Sequence, residues 1–248
     1  MFTTTNALVL REVRYKEADR ILTLLTSTEG KVSVKARGAL RKGSRMSAAT
    51  QQLTYSELTL FGNRGKWTVN EAVIKEPFTG LREDIENFAL GCYFAECLES
   101  LSVEDQPDAA LLQLGLNSLY ALSNKLYSPE QIKAAFELRL MCIAGYEPEL
   151  KSCPACGSTE PEQPILKLSG GYVCCRRCDD GNGEYARLCP DSLRALRYIA
   201  SAPAKQLFSF RLSDEALLRL GSAAERYLLT HTERQFQTLN YWKNIRIK

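Results

Sequence analysis

Two Cys-x-x-Cys motifs, Cys153 to Cys156 and Cys175 to Cys178, constrain the fold of this chain more than any other sequence feature. The 18 residues between them fall in the range that is typical of four-cysteine zinc sites. Zinc binds four thiolates in a tetrahedral arrangement, and one tight turn can present two sulfur atoms to the same ion. Because a shell of four thiolates leaves no open coordination position, the pattern predicts a structural Zn²⁺ site rather than a catalytic one.

The other cysteines leave alternatives open. Cys174 directly precedes Cys175 and could replace it as a ligand, although the two-residue gap of the first motif favours Cys175. Disulfides or free thiols are the alternative to a metal site. Cys92, Cys97 and Cys142 fall in helical patterns and are expected to be small buried hydrophobic residues. Together with a zinc site they indicate a reducing cytosol.

Positive charge is concentrated in the first third of the chain. Residues 1–76 contain 13 Lys/Arg and 7 Asp/Glu, a net charge of +6, whereas the remainder has a net charge of −3. Residues 31–45 contain six basic residues and no acidic one, which favours a nucleic-acid surface over a merely solvated one. Aromatic residues for base stacking are sparse here, so we expect binding to the phosphate backbone with little sequence preference. The candidate DNA-binding residues are Lys31, Lys35, Arg37, Arg41, Lys42, Arg45, Arg64 and Lys66.

Residues 5–76 follow the pattern of short β-strands, the first of which is predicted at residues 7–10. In residues 31–37, Val32, Val34 and Ala36 alternate with polar or basic residues, which predicts one face toward a core and a cationic face toward solvent. Five such strands with glycine-bearing turns predict a small barrel. A five-stranded OB-fold closes at this size and binds single strands on one face, although an SH3-like barrel is also compatible with the pattern.

After Pro77 the apolar residues recur with helical spacing. Ser128 followed by Pro129 is a typical helix start, and Ser213 is the expected N-cap of a later helix. The sequence therefore predicts a multidomain α+β chain with an OB-fold domain at residues 1–77 and a helical domain at residues 78–248. The zinc-binding insert is expected at about residues 150–189 within the helical domain.

Membrane and enzyme functions have no signal in the sequence. There is no secretory signal at the N-terminus and no apolar run near the roughly 20 residues that a membrane span requires. The chain has one histidine and neither a phosphate-binding loop motif nor a Gly-x-Ser-x-Gly motif. We therefore expect a cytoplasmic protein without a membrane partner, without catalytic residues and without enzymatic activity.

Several segments resemble one known family. They are residues 7–10 followed by Glu17-Ala18-Asp19-Arg20, the strand and glycine of residues 30–38, and the segment from Phe136 to Pro148 before the first cysteine motif. In this order they resemble the bacterial RecO family of recombination mediators over nearly the whole chain. Members of that family do not all keep the cysteines, so the cysteines support the resemblance without defining it.

The resemblance implies a function in DNA repair through the RecF pathway. RecO-like proteins bind single- and double-stranded DNA, anneal complementary strands and pair with RecR. They help RecA displace single-strand DNA-binding protein, and a pocket in their helical domain receives the acidic C-terminal tail of that protein. RecA and RecF would be indirect partners, and the protein would be associated with the nucleoid. A zinc-containing protein–protein scaffold or regulator, whose basic barrel contacts an acidic protein, is the alternative function, and a metal-dependent nuclease is a weaker third.

Overall fold

A computed structural model of the chain describes residues 1–63 and 65–246. The chain forms two compact units, of which the first comprises Met1–Lys125 and Phe236–Lys248 and the second Leu126–Gln235. The first unit groups three helices and the last helix with the barrel, whereas the sequence-based boundary at residue 77 marks the end of the β structure. The division into an OB-fold domain at 1–77 and a helical domain at 78–248 stays a prediction.

The first unit is built around a closed five-stranded barrel in the order β1-β2-β3-β5-β4. All neighbouring strands are antiparallel except β3 and β5, which are parallel. This order, with β5 beside β3, is that of an OB-fold and confirms the predicted barrel. The strands are β1 Phe2–Tyr15, β2 Asp19–Thr26, β3 Lys31–Ala36, β4 Tyr55–Asn63 and β5 Lys66–Glu76.

The alternating apolar residues of β3 fill the core of the barrel, as predicted from the sequence. Val32, Val34 and Ala36 are buried in a core cluster with Leu24 and Leu58. A fully buried Val or Leu side chain contributes about 1.5–3 kcal/mol. β1 is longer than the predicted strand because residues 2–8 pair with β4 and residues 7–15 pair with β2, with a shift of register between Val9 and Arg11.

The helices begin where the sequence places capping residues. Asp84, Asp108, Ser128 and Ser213 each accept hydrogen bonds from backbone N–H groups of the first helical turn. None of the helices in residues 1–63 and 65–246 has the combination of length and hydropathy that a membrane crossing requires. The helices are α1 Thr79–Arg82, α2 Ile85–Leu101, α3 Ala109–Ser123, α4 Pro129–Ile143, α5 Pro190–Ser201, α6 Asp214–Thr232 and α7 Gln237–Arg246.

The second unit packs α4, α5 and α6 with a small antiparallel sheet in the order β7-β6-β8. The sheet consists of β6 Ile165–Lys167, β7 Tyr172–Cys174 and β8 Tyr185–Arg187, and it lies between α4 and α5 in the chain, within the predicted insert at about residues 150–189. Arg139 on α4 donates hydrogen bonds to the carbonyls of Ile199 and Ala202. This arginine therefore stabilises the C-terminal end of α5.

Candidate metal centre and nucleic-acid interface

The structure brings together the four cysteines that the motifs predicted as ligands. The sulfur atoms of Cys153, Cys156, Cys175 and Cys178 all lie within 4.8 Å of one another, and the sulfurs of Cys156 and Cys175 are 3.7 Å apart. Four bonds of 2.3 Å in tetrahedral geometry place sulfur atoms about 3.8 Å apart. The cluster therefore has the dimensions of a site that could hold one metal ion.

Main-chain hydrogen bonds fix the two turns that present the sulfurs. The N–H of Gly157 donates to the carbonyl of Cys153 at 2.8 Å, and the N–H of Cys178 donates to the carbonyl of Cys175 at 3.0 Å. Gly157 has a φ of +73°, a conformation that glycine adopts without strain. The backbone thus holds each pair of thiols in place by itself.

Two thiols of the cluster have strongly perturbed acidities. Burial raises the pKa of Cys153, but hydrogen bonds from the backbone N–H groups of Cys175, Cys156 and Ala155 outweigh this effect. The resulting pKa of Cys153 is about 6. Burial and the neighbouring thiols raise the pKa of Cys178 to about 12. One thiolate thus forms readily and opposes ionisation of the next, and a divalent cation would remove this opposition.

Cys174, the alternative ligand, lies outside the cluster. It pairs with Ile165 in the register of β7 and β6 and is buried. Its side chain packs in one apolar core with Cys153 and Cys175, so it lies beside the four grouped sulfur atoms without being one of them. In the part of the chain that the structure describes, the group of cysteines with metal-ligand spacing contains Cys175 and not Cys174.

A buried lysine, which sequence reasoning missed, fixes the chain directly after the second cysteine motif. The ammonium of Lys167 is 2.7 Å from Asp179 Oδ1 and 3.1 Å from Asp180 Oδ1, and the residue is only 5% exposed. Its hydrogen bond to Asp179 raises the pKa of Lys167 well above its ordinary value. The hydrogen bond from the backbone N–H of Asn182 has the largest effect on Asp180 and, together with that from Lys167, lowers the pKa of Asp180 to about 2. Nothing in the local sequence around Lys167 indicates these partners.

The basic residues between β3 and β4 form an exposed surface. We call residues 37–47 the basic segment. Arg37, Arg41, Lys42 and Arg45 of this segment are all exposed. Within residues 1–63 and 65–246 the charged groups of these four side chains have no ion pair or hydrogen bond. Their charges are therefore available to an external anion.

The turn between β1 and β2 lies beside the basic segment. The N–H of Leu40 donates to the carbonyl of Ala18 at 2.9 Å. Lys35 forms an ion pair with Asp19 at 2.9 Å, and its ammonium also lies 4.8 Å from the centre of the Tyr15 ring. Tyr15 is 43% exposed, so part of its ring is open to contact with a base. Lys16, which no charge run in the sequence marks, adds another exposed cation at this turn.

The remaining predicted DNA-binding residues lie in different surroundings. The ammonium of Lys31 donates to the carbonyl of Glu99 at 3.0 Å, near the C-terminal end of α2. Lys31 thus lies at the opposite end of β3 from Arg37. Lys66 is exposed at the start of β5, and the register of β5 places the adjacent Trp67 beside Val34 of β3. Arg64 lies outside the residues that the structure describes.

Comparisons with known proteins agree over nearly the whole chain. The family model described as "Recombination protein O N terminal" matches residues 1–78, and that described as "Recombination protein O C terminal" matches residues 82–240. The chain is 37% identical over 246 residues to the DNA repair protein RecO of Acetivibrio thermocellus, covering 98% of each protein. It is 33% identical to the DNA repair protein RecO of Symbiobacterium thermophilum, covering 97% of this chain and 96% of that protein.

Proposed function

The chain belongs to the recombination protein O family, and from this membership we propose that it is a mediator of DNA repair and recombination. In this proposal the protein binds single- and double-stranded DNA through its barrel. The observation that carries the proposal is the group of exposed cations on the basic segment, beside Tyr15 and Lys16. Residues Lys35, Arg37, Arg41, Lys42 and Arg45 form the centre of the proposed interface, with Lys66, Arg64 and Lys31 extending it.

The chemistry of this surface favours binding to phosphates over reading of bases. Arginine and lysine side chains release counterions from DNA when they neutralise phosphates, and this release drives binding without reference to sequence. One exposed tyrosine is available for stacking, which contributes about 1–3 kcal/mol for each base that it contacts. We therefore infer affinity for both single and double strands, steep salt dependence and weak sequence preference.

Annealing on such a surface requires no covalent chemistry. Cations that neutralise two complementary strands reduce their mutual repulsion and allow base pairs to form. We propose that the protein acts in this way without enzymatic activity. With RecR it would help RecA to load on strands covered by single-strand DNA-binding protein, whose acidic C-terminal tail it would contact. RecF would be an indirect partner in the same pathway, and the site of action would be the cytoplasm at the nucleoid.

The cysteine cluster fits a structural Zn²⁺ in this proposal. Cys153, Cys156, Cys175 and Cys178 supply four sulfur donors, which suit zinc, and their spacing matches tetrahedral coordination. The ion would neutralise the thiolates and hold the small sheet of the second unit together. Metal analysis of the purified protein tests this assignment, and less than half a zinc ion per chain would contradict it.

The test of DNA binding is fluorescence anisotropy with a labelled oligo-dT strand over a series of salt concentrations. The variant Arg41→Ala/Lys42→Ala/Arg45→Ala removes three exposed cations of the basic segment. Because each phosphate contact contributes about 0.7 to the slope of log K against log salt for single strands, the slope should decrease in magnitude by about 2. Tight binding by the unmodified chain and this change of slope are the expected results.

A control variant changes the net charge equally but at other exposed positions. Lys151→Ala/Lys205→Ala/Arg211→Ala removes three exposed cations of the second unit and should leave the slope nearly unchanged. If both triple variants change the slope equally, binding depends on net charge alone. If the unmodified chain does not bind DNA at low salt, the basic barrel has another partner, and an acidic protein becomes the candidate.

A further inference from the structure

One residue of β2 holds the beginning of the basic segment. Asp19 Oδ1 accepts a hydrogen bond from the N–H of Gly38 at 2.8 Å, and its Oδ2 lies 2.9 Å from the ammonium of Lys35. Gly38 has a φ of +67°, so the chain leaves β3 through a left-handed residue at this position. The Asp19 carboxylate thus fixes the turn from which the exposed arginines and lysine extend.

The next residue of β2 holds the end of the same segment. Arg20 donates to the carbonyl of Ser47 at 2.7 Å and to the hydroxyl of Thr50 at 2.9 Å. Thr50 in turn donates to the carbonyl of Met46 at 2.8 Å. Arg20 is only 8% exposed, so this cation stabilises the segment and does not belong to the exposed surface.

The charge of Asp19 allows an electrostatic effect on DNA binding to be distinguished from a structural one. The hydrogen bond from the N–H of Gly38 and, to a smaller extent, that from Lys35 lower the pKa of Asp19. Its carboxylate is therefore negative at neutral pH. It neutralises Lys35 within a surface that we propose to bind phosphates. On charge alone, removing Asp19 should therefore strengthen DNA binding. A structural role in arranging the cations predicts the opposite sign.

We propose that Asp19 and Arg20 are positioning residues that hold both ends of the basic segment, so that Arg37, Arg41, Lys42 and Arg45 face one nucleic-acid strand together. The inference rests on the proposed function of this surface. A segment that is ordered before binding loses less conformational entropy in the complex than one that must be ordered by the ligand. The two adjacent residues would thus raise affinity without contacting DNA.

Limited proteolysis tests the structural half of the proposal in the absence of DNA. Trypsin cleaves after Arg41, Lys42 and Arg45, and mass spectrometry follows each cut. Asp19→Ala should accelerate these cuts at least fivefold. Glu17→Ala removes the same charge at an exposed neighbouring residue and should change them less than twofold. Thr50→Val, which removes one of the two acceptors of Arg20 and the donor to Met46 without changing charge, should also accelerate them.

DNA binding tests the functional half, with the oligo-dT assay. Asp19→Ala should weaken binding at least threefold although the net charge rises by one, whereas Glu17→Ala should leave binding equal or stronger. Asp19→Asn should fall between the wild type and Asp19→Ala, because its amide oxygen can still accept the hydrogen bond from Gly38. Thr50→Val should weaken binding without any change of charge.

The outcomes separate this inference from the proposed function. Unchanged cleavage in both Asp19→Ala and Thr50→Val would overturn the inference. Equal or stronger DNA binding by Asp19→Ala, while the triple variant of the basic segment binds weakly, would also overturn it. If instead the triple variant binds like the wild type, the proposed interface fails, and faster cleavage still shows that the two residues order the segment. Circular dichroism spectra that match the wild type exclude global unfolding of the variants. If Asp19→Ala does not fold, the two milder variants, Asp19→Asn and Thr50→Val, decide the question.

Discussion

Replacing Lys133 by methionine should destabilise the second unit by about 3–5 kcal/mol, the cost of removing one partner of a buried ion pair. The ammonium of Lys133 is 2.8 Å from Glu137, one turn later on α4, and 2.9 Å from Glu225 on α6. The side chains of Lys133 and Glu137 are 6% and 0% exposed. Methionine has a similar unbranched shape and fills most of the same volume. The loss of stability therefore reflects the buried charge of Glu137 and not a cavity.

The pH dependence provides a check on this reasoning. Burial lowers the pKa of Lys133, but Glu137 and Glu225 raise it above its ordinary value. A raised pKa means that the stabilisation is fully present below the unfolded-state value of about 10.4 and is lost as the pH rises through the folded-state value. The wild type should thus keep this contribution at pH 8.

A double variant isolates the cause. Lys133→Met/Glu137→Gln removes both charges and should recover most of the lost stability, to within about 1–2 kcal/mol of the wild type. Hydrogen exchange in a urea series, followed by mass spectrometry on peptides of α4 and α6, measures the free energy of opening where the pair lies. A loss below about 1 kcal/mol for Lys133→Met, or a double variant no more stable than the single one, would refute the argument.

Three further predictions follow from individual contacts. Cys174→Ser should keep the metal content of the wild type, whereas Cys175→Ser should lower it, as measured by metal analysis after dialysis. Gly80→Ala should destabilise the first unit by about 1–3 kcal/mol, because a Cβ would overlap the carbonyl oxygen of Ser123, and tryptophan fluorescence during thermal unfolding measures this. Arg139→Met should cost about 2–3 kcal/mol, because two carbonyls at the end of α5 lose a charged donor, and amide exchange in the last turn of α5 should accelerate.

Local patterns in the sequence predicted most of the elements. The alternation of β3 and the capping residues Ser128 and Ser213 are confirmed, because each depends on residues fewer than ten positions apart. β1 was predicted only around residues 7–10, since its polar flanks do not alternate as a half-buried strand does. The structure shows why: residues 2–8 pair with β4 and residues 7–15 pair with β2, so the two ends of β1 lie beside different strands.

Pairing between distant segments could not be read from the same patterns. The last helix was predicted as part of a helical domain, but the structure packs α7 against α2, and Thr238 of α7 donates to Glu96 of α2 across 142 positions. Lys167 forms hydrogen bonds with Asp179 and Asp180 only because the fold places β6 next to the chain that follows the second cysteine motif. Neither contact has a signal in spacing or composition, since a single charged residue on a short segment is compatible with many partners.

The basic residues of the barrel show what charge counting misses. The net charge of residues 1–76 counts all 13 Lys/Arg alike, but the structure divides them by their partners. Arg11 forms an ion pair with Glu99, and Arg20 is buried against Ser47 and Thr50, so these two cations stabilise the fold. Only a cation whose charge is not already satisfied can release counterions from DNA at full effect. The basic segment is distinctive because folding leaves the charges of its arginines and lysine exposed while the cation that anchors the segment is buried.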